Sequence, residues 1–254
     1  MNKPIILSYC GGRQTVALCI LVAQGKVERP ERVVIADTGR EASETWEYMR
    51  THVEPLLATV GLSIEVAAHD LATVDLYAKN GDLLIPAFTE NGKLPTLCSS
   101  EWKKRVVQRY LRQQGYGPDN PVITWIGMSR DEAGRIKPSG VQWQEYRWPL
   151  ALDLRMTVRD CELLIQRAGL PPAPKSSCWM CPHRLNSQWA HLRESSPVDF
   201  DKAVALDEAV FTSHGVRLHR SGAALAEADL TVADLPPLPL FGQVDGCDSG
   251  LCYV

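Results

Sequence analysis

The 254-residue chain is 45% hydrophobic and 22% charged, with a formal net charge of −3, which suits one substantial core, or a core with an appended lobe, and excludes a disordered chain. That balance gives no global pull toward nucleic acid and leaves only a local basic stripe for such a partner. No apolar run approaches a bilayer span, and the first nine residues show no signal-peptide pattern. The expected location is therefore cytoplasmic, where eight cysteines point to metal binding, redox chemistry or plain burial rather than to disulfides.

In chain order, Ile5 to Tyr9 reads as a short buried strand that runs into the glycine turn Cys10-Gly11-Gly12-Arg13-Gln14-Thr15 and then into the apolar helical run Val16 to Val22. A turn at the head of a helix presents free backbone N–H groups and the positive end of the helix dipole, so an anion, above all a nucleotide phosphate, is expected there. Gly11 and Gly12 permit close approach, Arg13 adds a charge and Thr15 a hydroxyl. The spacing is neither that of the P-loop nor that of a dinucleotide fold. Arg32 to Ala36 is a second strand ending at Asp37-Thr38-Gly39. Residues 43 to 60 have helical spacing (Trp46, Met49, Val53, Leu56, Leu57, Val60) with Ser43 as cap, and Leu62 to Val66 alternates as a third strand. This rhythm predicts an α/β fold, a doubly wound and mostly parallel sheet whose ligands lie beyond the carboxyl ends of the strands.

Residues 79–82 and 89–92 are loop-like. Cys98 opens an amphipathic helix through Leu111 that is basic on its exposed side, and a helix N-terminus stabilises a thiolate that can ligate metal. Val122 to Gly127 is a fourth strand, and Met128 to Arg135 follows it with two carboxylates and two arginines. Arg130 and Arg135 are candidate anion contacts, with a surface ion-pair network as the competing account. Beyond Pro149 the texture changes to helices separated by proline, one running from Thr157 as its cap to Ala168. The expected organisation is a nucleotide-binding α/β core over 1–150 and a helical region with its tail over 151–254.

Cys178-Trp179-Met180-Cys181-Pro182 brings two thiols within reach of one metal. A thioredoxin-type pair would instead follow the first strand of a βαβ unit. Cys98, Cys178 and Cys181 are expected to share one centre. Cys252 is the expected fourth ligand, with Cys247 as its neighbour or substitute. Four thiolates suit zinc or an iron–sulfur cluster. Cys19 and Cys161 lie in apolar helical patterns and read as core, and Cys10 is taken as a non-ligand.

Three elements together carry a resemblance. Residues Cys10 to Thr15 look like a variant of the S-G-G-x-D-S loop of the PP-loop adenine nucleotide α-hydrolases. Ala36-Asp37-Thr38-Gly39 with Glu44-Thr45 is similar to the D-T-G…E-T element of phosphoadenosine phosphosulfate (PAPS) reductases. Gly127-Met128-Ser129-Arg130-Asp131-Glu132 with Arg135 is similar to a later arginine-bearing loop of the same superfamily. The cysteine arrangement resembles PAPS-reductase-like proteins of bacteria and their phages. The resemblance covers about the first two-thirds of the chain and departs from the loop pattern at Cys10 and Gln14.

The resemblance implies an adenine-nucleotide site formed by Ser8, Gly11, Gly12, Arg13, Gln14, Thr15, Asp37, Thr38, Gly39 and Gly127, with Asp37, Arg130 and Arg135 as candidate catalytic residues. It implies an AMP-forming sulfurtransferase using ATP with Mg2+ and a [4Fe-4S] cluster, with zinc as the alternative metal. A nucleic-acid base or backbone is the candidate acceptor, the sulfur donor is unspecified, no membrane partner is expected, and a homo-oligomer is compatible with the family. The alternatives are a thiol-dependent PAPS or adenylyl-sulfate reductase, and a non-catalytic nucleotide-binding zinc protein.

Overall fold

A computed structural model describes residues 3–68 and 76–234. In chain order its elements are β1 (Ile5–Tyr9), α1 (Arg13–Ala23), β2 (Arg32–Asp37), α2 (Ser43–Tyr48), α3 (Glu54–Ala58), β3 (Ile64–Ala68), β4 (Phe88–Thr89), β5 (Gly92–Lys93), α4 (Arg105–Gln113), β6 (Val122–Ile126), β7 (Gln144–Arg147), α5 (Val158–Arg167), α6 (Asn186–Ser195) and α7 (Pro197–His214). Five strands form one all-parallel sheet in the order β3-β2-β1-β6-β7. The chain therefore winds outward from β1 in one direction and then returns to its other side. That reversal, between β1 and β6, is where an open α/β sheet leaves a crevice for ligands.

Side-chain alternation sends the two registers of each strand into separate cores. Leu7, Tyr9, Val33, Ile35, Ile123 and Trp125 pack with α1, with the 43–58 helical segment and with Cys161 and Ile165 of α5. Ile6, Val34, Ala36 and Val122 pack with Val106, Val107 and Leu111 of α4 on the opposite face. A third core joins Leu84 and Ile85, Trp102, Met180 and the inner faces of α6 and α7 through Trp189, Leu192, Phe200 and Val210. No helix among the described residues is long and apolar enough to cross a membrane.

The structure departs from the sequence reading at several places, among them the helix expected from Cys98, which is π-helical over Ser99–Lys104 before α4. The helix expected over 43–60 widens into a π-helical turn at Met49–Val53 before α3. Pro55, in the first turn of α3, cannot donate a backbone hydrogen bond, and its ring crowds the carbonyl four residues back, so the chain takes a wider turn ahead of it. Strand β7 was not foreseen, because its buried positions are Gln144 and Tyr146 rather than an aliphatic run. The Gln144 amide donates instead to Thr124 Oγ1 at 3.0 Å inside the sheet. The stretch read as loop at 89–92 is largely the antiparallel hairpin β4–β5.

Candidate functional site

Because all five strands point the same way, the ends of β1, β2 and β6 reach one edge of the sheet. At the end of β1, Gly11 has φ +80°, and a Cβ there would lie 2.2 Å from Thr45 Cγ2. Only glycine suits both the backbone and the contact. Gly12 caps α1 without any side-chain hydrogen bond, and the first turn of α1 holds no acidic residue. Its leading N–H groups thus lack the side-chain acceptor that most helix starts carry. Around this turn the hydroxyls of Ser8, Thr45 and Ser177 are buried with no hydrogen-bond partner among the described residues, an arrangement that a bound polar ligand would repair.

Other residues expected at the turn are already engaged. Thr15 is fully buried, its hydroxyl donating to Gly12 O at 3.0 Å and lying 3.4 Å from the Cys10 amide, so it braces the turn from inside. The Arg13 guanidinium pairs with Glu162 of α5. Gln14 donates to Glu132 Oε2 at 2.8 Å. Gly127, just past β6, faces α1, and a Cβ there would meet Thr15 Cγ2 at 2.3 Å.

Glu132 is the hub of the loop after β6. It accepts from Gln14, from Ser129 Oγ at 3.4 Å and from Arg135 at 2.6 Å. Asp131 accepts from the Val158 amide at 2.6 Å and so helps to cap α5. Arg130 is exposed. The ion-pair account of this loop holds for Arg135, and Glu132, which motif reasoning did not single out, is what ties the loop to the glycine turn.

At the end of β2, Asp37 Oδ1 accepts from the Gly39 amide at 2.7 Å, closing a tight turn. The buried Thr38 places its hydroxyl 3.8 Å from Cys178 Sγ. Residues 177–179 run antiparallel to residues 40–42, with the Ala42 amide on Ser177 O at 3.3 Å and the Trp179 amide on Arg40 O at 2.9 Å. One residue earlier, the Ser176 hydroxyl donates to Cys10 O. The segment Lys175–Cys178 is therefore a strap that touches the glycine turn through Ser176, Ala42 through Ser177 and Thr38 through Cys178.

At the strap, Cys178 lies against the buried Glu41–Lys103 pair, and Arg184 is buried beside its carbonyl. Cys178 donates to Glu41 Oε1 at 3.9 Å, and Glu41 pairs with Lys103 at 2.9 Å, with side-chain exposures of 2% and 12%. Burial alone would push the Lys103 ammonium down, yet Glu41 beside it, with the sulfurs of Cys178 and Cys10, holds it above its ordinary value. Arg184 is 4% exposed and bonds the carbonyls of Cys178 and Ser177. It has no ion pair among the described residues, and burial pulls its pKa down. Burial pushes the Cys98 thiol up to about 12 and raises Cys178 also, and Cys181 adds to both effects. Lys103 and Arg184 supply positive charge on the sulfur side, with the carboxylates of Glu41 and Glu44 opposing it.

A metal would take the charge of such buried thiols as they ionise, and the flanking Lys103 and Arg184 cations would offset the excess negative charge of thiolate ligation. Among the described residues, no group of three or more His, Cys, Asp or Glu side chains is placed to hold a metal ion, Cys98, Cys178 and Cys181 included. Cys247 and Cys252 lie outside the described residues. Cys19 and Cys161 are fully buried in the core of the α1 layer, as their helical pattern predicts. Cys10 is buried, with its Sγ 3.5 Å from Thr15 Oγ1, and it stands within electrostatic reach of Lys103 and Glu41.

No protein-family model matches the chain. It is similar to an uncharacterised 37.8 kDa protein from the gpa 5′ region of Escherichia phage 186, at 24% identity over 257 aligned positions covering 81% of this chain and 75% of that one. Among solved structures it is similar to a phosphoadenylyl-sulfate (PAPS) reductase from Candida auris in its phosphate complex, with a TM-score of 0.44, 14% identity, and coverage of 68% of this chain and 76% of that one. It is also similar to the U34-tRNA thiolase NcsA from Methanococcus maripaludis with its [4Fe-4S] cluster, with a TM-score of 0.42, 14% identity, and coverage of 83% and 72%.

Proposed function

We propose that the chain is a nucleotide-dependent, AMP-forming sulfurtransferase of the PAPS-reductase-like type. Its nucleotide would lie on the glycine turn, and Cys98, Cys178 and Cys181 would hold a [4Fe-4S] cluster, with Cys252 or Cys247 as the fourth candidate. The observation that carries this reading is the strap at residues 175–178, which sets the Cys178 thiol against Thr38 and Ser176 against the glycine turn, so one wall serves both a phosphate and a sulfur chemistry. When bound, the cluster would supply an iron able to carry or deliver sulfur.

The chain's own residues have separable tasks in this reading. The first-turn amides of α1, with Ser8, Thr45 and Ser177, would bind the phosphates of ATP and hold the α-phosphorus in line with an acceptor oxygen. That oxygen takes the adenylyl group and pyrophosphate leaves; a sulfur nucleophile then displaces AMP, whose developing charge would be met by Arg130 and by Arg135 once it is released from Glu132. Asp37 orients the loop that carries Thr38. Lys103 and Arg184 hold the charge on the sulfur side.

Anaerobic purification followed by iron, sulfide and zinc analysis, with an assay for AMP and pyrophosphate from ATP, tests the reading. Iron and sulfide in equal amounts with AMP formation are expected. Sulfite release from PAPS without ATP cleavage would replace it by the reductase reading, and zinc with neither activity would overturn it. Gly11→Val should abolish ATP binding in calorimetry, since any side chain there strikes Thr45.

A further inference from the structure

Beside the glycine turn, on the α1–α5 side, lies a half-open cleft of about 690 Å³. Its rim carries three cations, Arg13, Arg159 and Lys175, and one carboxylate, Glu162, and its wall includes Leu163 and Leu170. Gln166 adds an amide that can both donate and accept, while Gln188 Oε1 already accepts from Lys175 at 3.3 Å and from the Leu185 amide at 3.1 Å. In a chain of net charge −3, three cations against one carboxylate make this a local positive field. The cleft is joined to the site described above by covalent chain: Lys175 lines it, Ser176 touches Cys10 O, and Cys178 is the thiol three residues on. Three residues span at most about 10 Å. The cleft and the site described above therefore share the strap as a common wall.

We propose that this cleft binds a single-stranded nucleic-acid segment, with backbone phosphates on Arg159 and Lys175 and a base against Leu163 and Leu170. The chemistry of the lining selects that ligand: paired cations suit successive phosphates, an apolar wall accepts the flat face of any base, and the Gln166 amide can read a base edge. The volume admits one or two nucleotides and no duplex, so a paired base would have to be extruded. Arg13, tied to Glu162 across the cleft, closes it toward the glycine turn, and exchanging Glu162 for a phosphate would open that side. The proposal rests on the sulfur-transfer reading, for which it names the acceptor's binding site.

The test is binding of fluorescent single-stranded RNA and DNA ten-mers to the full chain at about 50 mM salt, with ATP affinity measured in parallel. Arg159→Glu and Lys175→Glu should each lower oligonucleotide affinity at least tenfold and reduce the salt slope by about one, while ATP affinity is unchanged. Arg167→Glu, on the same helix but outside the cleft, should bind within twofold of wild type. Preference for RNA or for DNA identifies the natural sugar, and either supports the site. The proposal is overturned if neither strand binds, if Arg167→Glu weakens binding as much as Arg159→Glu, or if a duplex or an acidic peptide binds as tightly. Because Gly11→Val should lose ATP and keep the oligonucleotide, a failure of the cleft and a failure of the nucleotide site give different results.

Discussion

Gly127 and Thr15 meet where the end of β6 passes the first turn of α1, and the contact is close enough to be tested directly. Gly127→Ala puts a methyl group 2.3 Å from Thr15 Cγ2 and should cost about 1–3 kcal/mol through overpacking. Thr15→Ser removes that methyl group and keeps the hydroxyl that braces the turn. The double variant should recover most of the loss in denaturant unfolding, and additive losses would show that the strain lies elsewhere. The Glu41–Lys103 pair gives a second test. Lys103→Met leaves a buried carboxylate beside the thiols and should destabilise by about 3–5 kcal/mol, whereas Lys103→Met with Glu41→Leu should approach wild-type stability. Recovery of stability without recovery of metal content would separate the pair's electrostatic role from its structural one. Neither pair was legible in the sequence. Glycine turns, Cys-x-x-Cys and Asp-Thr-Gly announce themselves by spacing, but Glu41, Lys103, Glu132 and Arg184 look like ordinary surface charges until the fold buries them against the sulfurs or the turn.

At the scale of elements, helix α5 shows which local signals carry through to structure. Thr157 accepts from the Asp160 amide and Asp160 from the Thr157 amide, a reciprocal capping box, as the position of Thr157 ahead of the helical pattern predicts. Thr157→Ala should cost about 1 kcal/mol, read as a lowered midpoint with unchanged denaturant slope. The effect should be muted because Asp131 also caps α5 through the Val158 amide. Asp131→Ala with Thr157→Ala should then exceed the sum of the single changes. The apolar strands β1, β2 and β6 were legible because burial on both faces leaves an unbroken aliphatic run. Strand β7 escaped because its inward positions are filled by Gln144 and Tyr146, and the 43–58 segment kept its helical spacing while Pro55 altered its pitch. The strap at 175–178 has no periodic signature at all, since its partners are the carbonyls and amides of sequence-distant loops.

For the whole molecule, one contact inside the third core, which carries Met180 and the α6–α7 pair, is pH-sensitive. His219 is buried, with Nε2 2.9 Å from Asn186 Oδ1, Nδ1 2.7 Å from Ser221 Oγ, and the Ser221 amide donating to Nδ1 at 3.3 Å. Nδ1 must keep its lone pair for that amide, so the neutral ring with its proton on Nε2 is the form the fold accepts. Burial lowers the His219 pKa, the nearby Arg220 charge lowers it further, and Asp207 opposes them. A base whose folded pKa is depressed binds fewer protons folded than unfolded, so its contribution is present above the unfolded value near 6.5 and is lost as the pH falls below that. The slope for one proton is at most about 1.4 kcal/mol per pH unit. Asn186 opens α6 five residues after Cys181, and its amide is held by Asp234 Oδ1 at 2.7 Å, so protonating His219 would loosen the lobe next to the thiols. Unfolding free energies between pH 7.5 and 5.5 should therefore fall for the wild-type chain and fall less steeply for His219→Gln, which should start lower because it loses the Ser221 contacts. Equal slopes in the two proteins would assign the acid sensitivity to carboxylates elsewhere and remove His219 from the account.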